Sequence, residues 1–281
     1  GIRCDLTVIR KDQELFRVVT GGGSGQHDLA WLRSQIHDDE MVAITERTGS
    51  LFALGLWGPR ARDVLEAVTV ADVSNEAFPY MTARYLHVGE VNPVWVQRIS
   101  YAGELGYELY GQFAMGDRAW ELLWEAGRDH DITAVGGGAF DSLRLEKGYR
   151  LWGQDIHTEH DPLEAGLGFA VKWDKDFQGR EALERIRDSG GPTHKLTCMT
   201  LDDPADVVMG KEPIWSGERV AGYATSAAYG YTMGRCIVYG YLPAALAVEG
   251  TPVHVEYFGR SIPATVSADP LWDPKGERQK T

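Results

Sequence analysis

Asp141-Ser142-Leu143-Arg144-Leu145-Glu146-Lys147-Gly148-Tyr149 is the stretch from which the architecture is read outward. Leu143 and Lys147 are i,i+4 partners, as are Asp141 and Leu145, and Gly148 offers a left-handed C-cap, so residues 139–147 form a helix ending in a turn. Periodicity makes Leu143 and Leu145 core positions and leaves Arg144 and Glu146 ion-paired or exposed. Upstream lies a second helix at 117–128, rich in Trp and Leu, and before it a three-strand meander at 85–88, 94–99 and 107–110. Further back, 2–9 and 15–20 read as a hairpin, 28–36 as a helix with Leu29, Leu32 and Ile36 on one face, and 41–45 and 51–56 as strands. Gly58-Pro59 opens another helix, with Val64, Leu65 and Val68 on its apolar side.

Downstream, a helix at 179–189 closes at Gly190-Gly191-Pro192, which marks a domain boundary. Short strands follow at 196–201, 212–215, 220–226, 235–241, 253–257 and 262–266, separated by Ser216-Gly217, Gly230 and Phe258-Gly259. Almost no helical periodicity remains there, so the segment reads as a small antiparallel barrel or sandwich. The expectation is an α+β fold with a two-lobe region at 1–190 and a β-barrel domain at 191–281.

The composition narrows the function. With 41 acidic against 28 basic residues the formal net charge is −13, a field that disfavours nucleic acid and anionic membranes. No apolar run is long enough to span a bilayer, and no secretory leader is visible. Cys4, Cys198 and Cys236 are too scattered for a disulfide framework or a zinc site, which points to a reducing compartment, the cytoplasm.

Gly21-Gly22-Gly23-Ser24-Gly25 lies between a strand and a helix, but Gln26 stands where a dinucleotide loop needs its third glycine, so a turn is expected. His157-Thr158-Glu159-His160-Asp161, with Asp155 before it, has the wrong spacing for a helical metal site and reads as a solvated loop; no metal site is assigned. Asp5 is more informative: the residues alone favour a strand-face acid that simply meets solvent, but a carboxylate turned among the apolar residues of a strand is costly unless paired or used. Glu108 is similar: in Gly106-Tyr107-Glu108-Leu109-Tyr110, Glu108 and Tyr110 share one strand face and Tyr107 and Leu109 the other. A carboxylate aimed into a pocket accepts well from a heterocycle's N–H and amino groups. These patterns by themselves name no reaction.

Several of these segments carry a resemblance. Gly1 to Val8, Tyr101 to Glu108, the 141–148 helix, Asp161-Pro162-Leu163-Glu164-Ala165-Gly166-Leu167 and Phe177-Gln178-Gly179-Arg180-Glu181-Ala182-Leu183 resemble, in order, segments of the glycine-cleavage T-protein (aminomethyltransferase) superfamily. Residues 144–150, 159–162, 210–213, 222–231, 256–260 and 270–274 are similar to its dimethylglycine oxidase and sarcosine dehydrogenase branch. The resemblance implies an aminomethyltransferase-like folate-binding fold, amino-terminally incomplete relative to the family, with a C-terminal antiparallel β-barrel.

It also implies capture on tetrahydrofolate of the one-carbon unit released by oxidative demethylation of dimethylglycine or sarcosine, giving 5,10-methylenetetrahydrofolate. FAD belongs to an upstream flavin domain outside this chain, and the small-molecule partners are folate and an iminium derived from an N-methylated glycine. Asp5 matches the family aspartate near folate N10, Glu108 the pterin-binding glutamate, Tyr101 a tyrosine of the same pocket, and Tyr149 a ligand-contacting aromatic. Phe140 departs from the family, which has an arginine there facing the folate glutamate tail. Alternatives are an aminomethyltransferase or demethylase for another substrate, and a non-catalytic folate-binding module.

Overall fold

A computed structural model describes all 281 residues. The chain forms two compact units, one of Cys4–Val135 with Gly276–Thr281 and the other of Gly136–Lys275 with Gly1–Arg3. Gly190-Gly191-Pro192 separates the last helix from the first barrel strand, but the compact units divide at 135/136, so residues 136–190 group with the barrel rather than with the first lobe. The mixture of helix and sheet is the α+β class expected.

The first unit begins with the antiparallel hairpin β1 (Leu6–Arg10) and β2 (Phe16–Thr20), paired from Leu6↔Thr20 to Arg10↔Phe16. Helix α1 (Gly25–Ser34) follows the glycine turn. The expected strand at 41–45 does not form. Met41 and Val42 are exposed, and β-branched residues hold a strand only when a neighbouring ladder and an apolar surface receive them.

β3 (Leu51–Trp57), β4 (Ala83–Val88), β5 (Val91–Gln97) and β6 (Gly106–Gln112) make an antiparallel sheet in the order β3-β6-β5-β4. The meander is therefore present, with β3 added at its β6 edge. Alternation sends Phe52, Leu56, Leu86, Val94, Val96, Tyr107 and Leu109 to one face, where they form a core with Val64 and Leu65 of α2 (Ala61–Glu66) and Ala119 and Leu123 of α3 (Gly116–Gly127). Burial of each such side chain contributes about 1.5–3 kcal/mol. The opposite face is left for other work.

In the second unit, α4 (Gly137–Glu146) and α5 (Arg180–Asp188) precede β7 (His194–Leu201), β8 (Pro213–Ser216), β9 (Arg219–Gly230), β10 (Arg235–Pro243), β11 (Pro252–Tyr257) and β12 (Arg260–Val266). These six close into a barrel in the order β10-β7-β12-β11-β8-β9, which leaves no unpaired sheet edge. Met199, Leu201, Ile214, Val238, Val255 and Ile262 fill its core, and Leu145 of α4 packs with Leu196, Cys198, Ile237 and Tyr239.

Candidate functional site

Glu108 lies on the sheet face turned away from the apolar core, opposite Gly55 on β3 and Gln97 on β5. Its neighbours are set by strand alternation. Tyr110, two residues on, donates its hydroxyl to Glu108 Oε2 at 2.6 Å and pairs across the ladder with Trp95. A Cβ at Gly55 or Gly106 would meet the Trp57 ring at 1.7 and 2.2 Å, so these two glycines let the indole lie close against the backbone beside Glu108. Burial drives the Glu108 carboxyl above the ordinary glutamate range, and the Tyr110 hydrogen bond offsets this only in part. Trp95 Nε1 and both ends of the Gln97 carboxamide are buried on this face with no hydrogen-bond partner.

The hairpin looks onto the same face. Its outer row, Val8, Phe16 and Val18, is exposed, while Thr7, Ile9, Arg17 and Val19 are half-buried. The Arg17 guanidinium sits 5.4 Å from the Trp95 ring centre and 5.7 Å from that of Tyr110. Lys11 Nζ lies 4.8 and 4.7 Å from the Tyr85 and Trp95 ring centres and donates to the Tyr85 hydroxyl at 2.5 Å. Two cations thus cover the aromatic rim of the face that carries Glu108, where each ring attracts positive charge through its quadrupole.

Asp5 precedes β1 rather than lying within it, and by alternation it continues the row of Thr7, Ile9 and Lys11. The residue as a whole is exposed, yet enough protein surrounds its carboxyl that burial, and next the neighbouring Asp28 charge, hold it above the ordinary aspartate value. Asp28 itself is 2% exposed. Burial opposes its ionisation, but hydrogen bonds from Thr20, His27, Cys4 and Ser24 outweigh that cost and hold its carboxyl below the usual range. Asp28 therefore stays charged and Asp5 rises in its field.

Ligand atoms of Cys4, His27 and Asp28 all lie within 4.8 Å of one another, a grouping that residue spacing did not reveal. Asp28 fixes this cluster as a hydrogen-bond network joining the glycine turn and α1 to the residue before Asp5. The turn expected at 21–25 is accordingly an anchor, with Ser24 reaching Asp28 Oδ2 at 2.9 Å.

Tyr101 lies half-buried in the loop that leads into β6. Tyr149 belongs to the other unit, just beyond α4, where its N–H donates to the Arg144 carbonyl at 2.8 Å and its own carbonyl accepts from Arg144 Nη1 at 3.1 Å. The sequence patterns thus bring Asp5, Tyr101 and Glu108 into one unit and leave Tyr149 in the second.

Two expectations about the second unit, for Glu146 and Asp155, are corrected, while Arg144 is ion-paired as one of its two readings had it. Arg144 and Glu146 are each 1% exposed. Arg144 Nη1 meets Asp155 Oδ2 at 2.6 Å and Nη2 meets Ser226 at 2.9 Å, while Glu146 Oε1 accepts the backbone N–H groups of Thr232 and Met233. Asp155, grouped with a solvated loop, is wholly buried and also accepts from Thr225 and the Leu151 N–H. Within that loop His160 stacks on Tyr241 with ring centres 3.8 Å apart. Burial first, then His157, lowers its pKa.

The glycine cleavage T-protein N-terminal (GCVT) domain model matches residues 1–175, and the glycine cleavage T-protein C-terminal barrel domain model matches residues 194–273. Mitochondrial dimethylglycine dehydrogenase of Rattus norvegicus is 36% identical over 273 residues, covering 96% of this chain and 32% of its own length. The chain therefore spans about a third of that relative. An aminomethyltransferase of Symbiobacterium thermophilum is 34% identical over 275 residues, covering 95% of this chain and 72% of the relative. The crystal structure of glycine cleavage system aminomethyltransferase T from Bartonella henselae superposes with a TM-score of 0.86 at 27% identity, covering 98% of this chain and 73% of that one.

Proposed function

This chain belongs to the glycine cleavage T-protein family, the family of folate-dependent one-carbon-transfer domains, and from that premise we propose that it receives a methylene unit on tetrahydrofolate. The source we propose is the iminium, or its formaldehyde equivalent, formed when dimethylglycine or sarcosine is oxidised, and the product is 5,10-methylenetetrahydrofolate. FAD would supply the oxidising chemistry from a separate upstream domain. The three free cysteines support a reducing compartment, for which we propose the cytoplasm. No helix is long and apolar enough to cross a membrane.

One observation carries the reading: a desolvated glutamate on an aromatic-rimmed sheet face whose neighbouring polar side chains are buried without partners. That donor and acceptor set fits a flat heterocycle with a polar edge. Glu108 would accept N–H groups of the pterin, and Trp57, Trp95 and Tyr110 would supply ring surface of the kind that stacks on it. We assign Tyr101 to the same pocket and propose Tyr149 as a ligand-contacting aromatic.

Asp5 is the proposed catalytic group. Attack by a folate amine on an electrophilic carbon requires loss of a proton, and a held carboxylate both accepts it and stabilises the cation. A carboxyl raised above its ordinary value is better matched to proton transfer near neutrality than a solvated aspartate. Such a base works deprotonated, so turnover rises with pH through the raised Asp5 pKa. The covering hairpin with Lys11 and Arg17 limits water, which would otherwise hydrolyse the iminium.

The test uses Asp5→Asn and Glu108→Gln in the full-length polypeptide. Asp5→Asn is expected to lower methylenetetrahydrofolate formation by about 10²-fold, the usual scale of general base catalysis, with little change in folate affinity. Glu108→Gln is expected to weaken folate binding. Full product yield from both variants would remove the assignment.

A further inference from the structure

Gln97 is 1% exposed, and neither the nitrogen nor the oxygen of its carboxamide has a hydrogen-bond partner. Buried amides in folded proteins are almost always paired, because stripping water from such a group without replacing its hydrogen bonds is costly. Nothing in the fold calls for a glutamine here. Val94 and Val96 on the same strand already serve the apolar core from the other face. An aliphatic side chain of the same length would fill the volume at Gln97 without leaving a polar group bare.

Its position gives the unpaired amide a use. Gln97 stands directly across the β5–β6 ladder from Glu108, so the two side chains rise from neighbouring Cβ atoms on one face. Trp95, two residues back on that face, also keeps an unpartnered N–H, and so does Arg17 at Nη1. Three residues with orphaned groups, Gln97, Trp95 and Arg17, therefore share the face of one carboxyl, whereas the orphaned atoms of Arg84, Arg98 and Tyr107 lie away from it and that of Glu212 belongs to the second unit.

The chemistry of a 4-oxo pterin edge explains the pairing. That edge presents an amino group, a ring N–H and then a carbonyl, which is donor, donor, acceptor. A carboxylate has only acceptors and can serve the two donors, leaving the carbonyl bare. A carboxamide beside it brings the missing donor. Resting on the folate reading above, we propose that Gln97 is a second ligand-reading residue, donating to the ring carbonyl while Glu108 accepts from the adjoining N–H groups. Gln97 then sets preference for a 4-oxo over a 4-amino heterocycle, since a site built to hydrogen-bond a group discriminates against an analogue with the wrong polarity there.

The experiment titrates the 281-residue chain and its Gln97→Met and Gln97→Glu variants with tetrahydrofolate and with a 4-amino folate analogue, reading tryptophan emission. Melting of each ligand-free protein is recorded alongside. Gln97→Met is expected to bind tetrahydrofolate about tenfold more weakly or worse, the cost of leaving a buried group unpaired, to lose most of the 4-oxo preference, and to melt higher than the parent. A structural role would instead lower the melting temperature. Gln97→Glu, an acceptor only, is expected to shift preference toward the 4-amino analogue.

Tetrahydrofolate affinity within twofold of the parent in Gln97→Met overturns the inference; if Glu108→Gln weakens binding in the same assay, the folate reading survives that failure. A lower melting temperature for Gln97→Met, with Gln97→Glu leaving the ligand preference unchanged, also overturns it. No binding of either ligand to the parent chain removes both readings together.

Discussion

Asp28 and Glu108 show how differently two enclosed carboxylates behave. Asp28 collects hydrogen bonds from Thr20, Ser24, His27 and Cys4, so its folded pKa lies below the ordinary aspartate value of 3.8. A depressed folded pKa contributes stability that is present above that ordinary value and lost as pH falls through the lower folded one. Asp28→Asn is expected to cost about 1–3 kcal/mol at pH 7, with the gap to the parent closing below roughly pH 4. Thermal melts across pH 2.5–7 would read this, at about 2–4 °C per kcal/mol for a chain of this size.

Glu108 has the opposite sign, its folded value lying above 4.5. Its raised carboxyl favours folding while protonated and loses that contribution as pH rises from the unfolded value through the folded one. Ligand-free Glu108→Gln should therefore melt above the parent at neutral pH and converge with it in acid. A lower melt at pH 7 would mean that Glu108 is a structural anchor.

Arg144 belongs to the same scale. Its partner Asp155 is buried with it, so Arg144→Met leaves an uncompensated charge and should cost about 3–5 kcal/mol. The double variant with Asp155→Leu should cost less than the sum of the single changes, and a double-mutant cycle in urea measures the difference.

Among the elements, α4 is the most instructive. Its sequence pattern places the helix correctly, and Gly148 takes the left-handed conformation expected of its cap at φ +72°. A Cβ there would meet Asp269 Oδ1 at 2.5 Å and the Tyr239 hydroxyl at 3.1 Å. Gly148→Ala should destabilise by about 1–2 kcal/mol from the backbone conformation together with that crowding, which equilibrium denaturation would detect. The sequence allowed Arg144 its ion pair but did not reveal that Arg144 and Glu146 are buried, because a helical wheel ranks faces by apolarity. Here β9 and the turn that joins it to β10 supply partners for the charges: Ser226 of β9 for Arg144, and the N–H groups of Thr232 and Met233 in the turn for Glu146. The hairpin teaches the converse. Its alternation was legible, yet only the ring contacts of Lys11 and Arg17 show which row faces the sheet.

For the whole molecule, the net charge of −13 has a kinetic consequence if folate is the ligand. A dianionic glutamate tail approaches against a repulsive field, which salt screens. The association rate in stopped-flow quenching should rise about twofold between roughly 0.01 and 0.15 M salt. A rate that falls with salt would reveal a local basic patch that steers the ligand in.

Sequence alone settled what depends on short-range periodicity. It placed the hairpin, the meander, the helices, the six barrel strands, and the shared strand face of Glu108 and Tyr110, because side-chain direction in a strand or helix follows residue spacing. It also singled out Asp5, whose carboxylate stood out among apolar neighbours. Tertiary structure decided which charges are buried, that residues 41–45 stay unpaired, that burial and then the Asp28 charge, 23 positions away, raise Asp5, and that Gln97 faces Glu108 with no partner of its own. Those outcomes turn on desolvation and on contacts between distant segments, and neither quantity exists until the chain has closed around the group concerned.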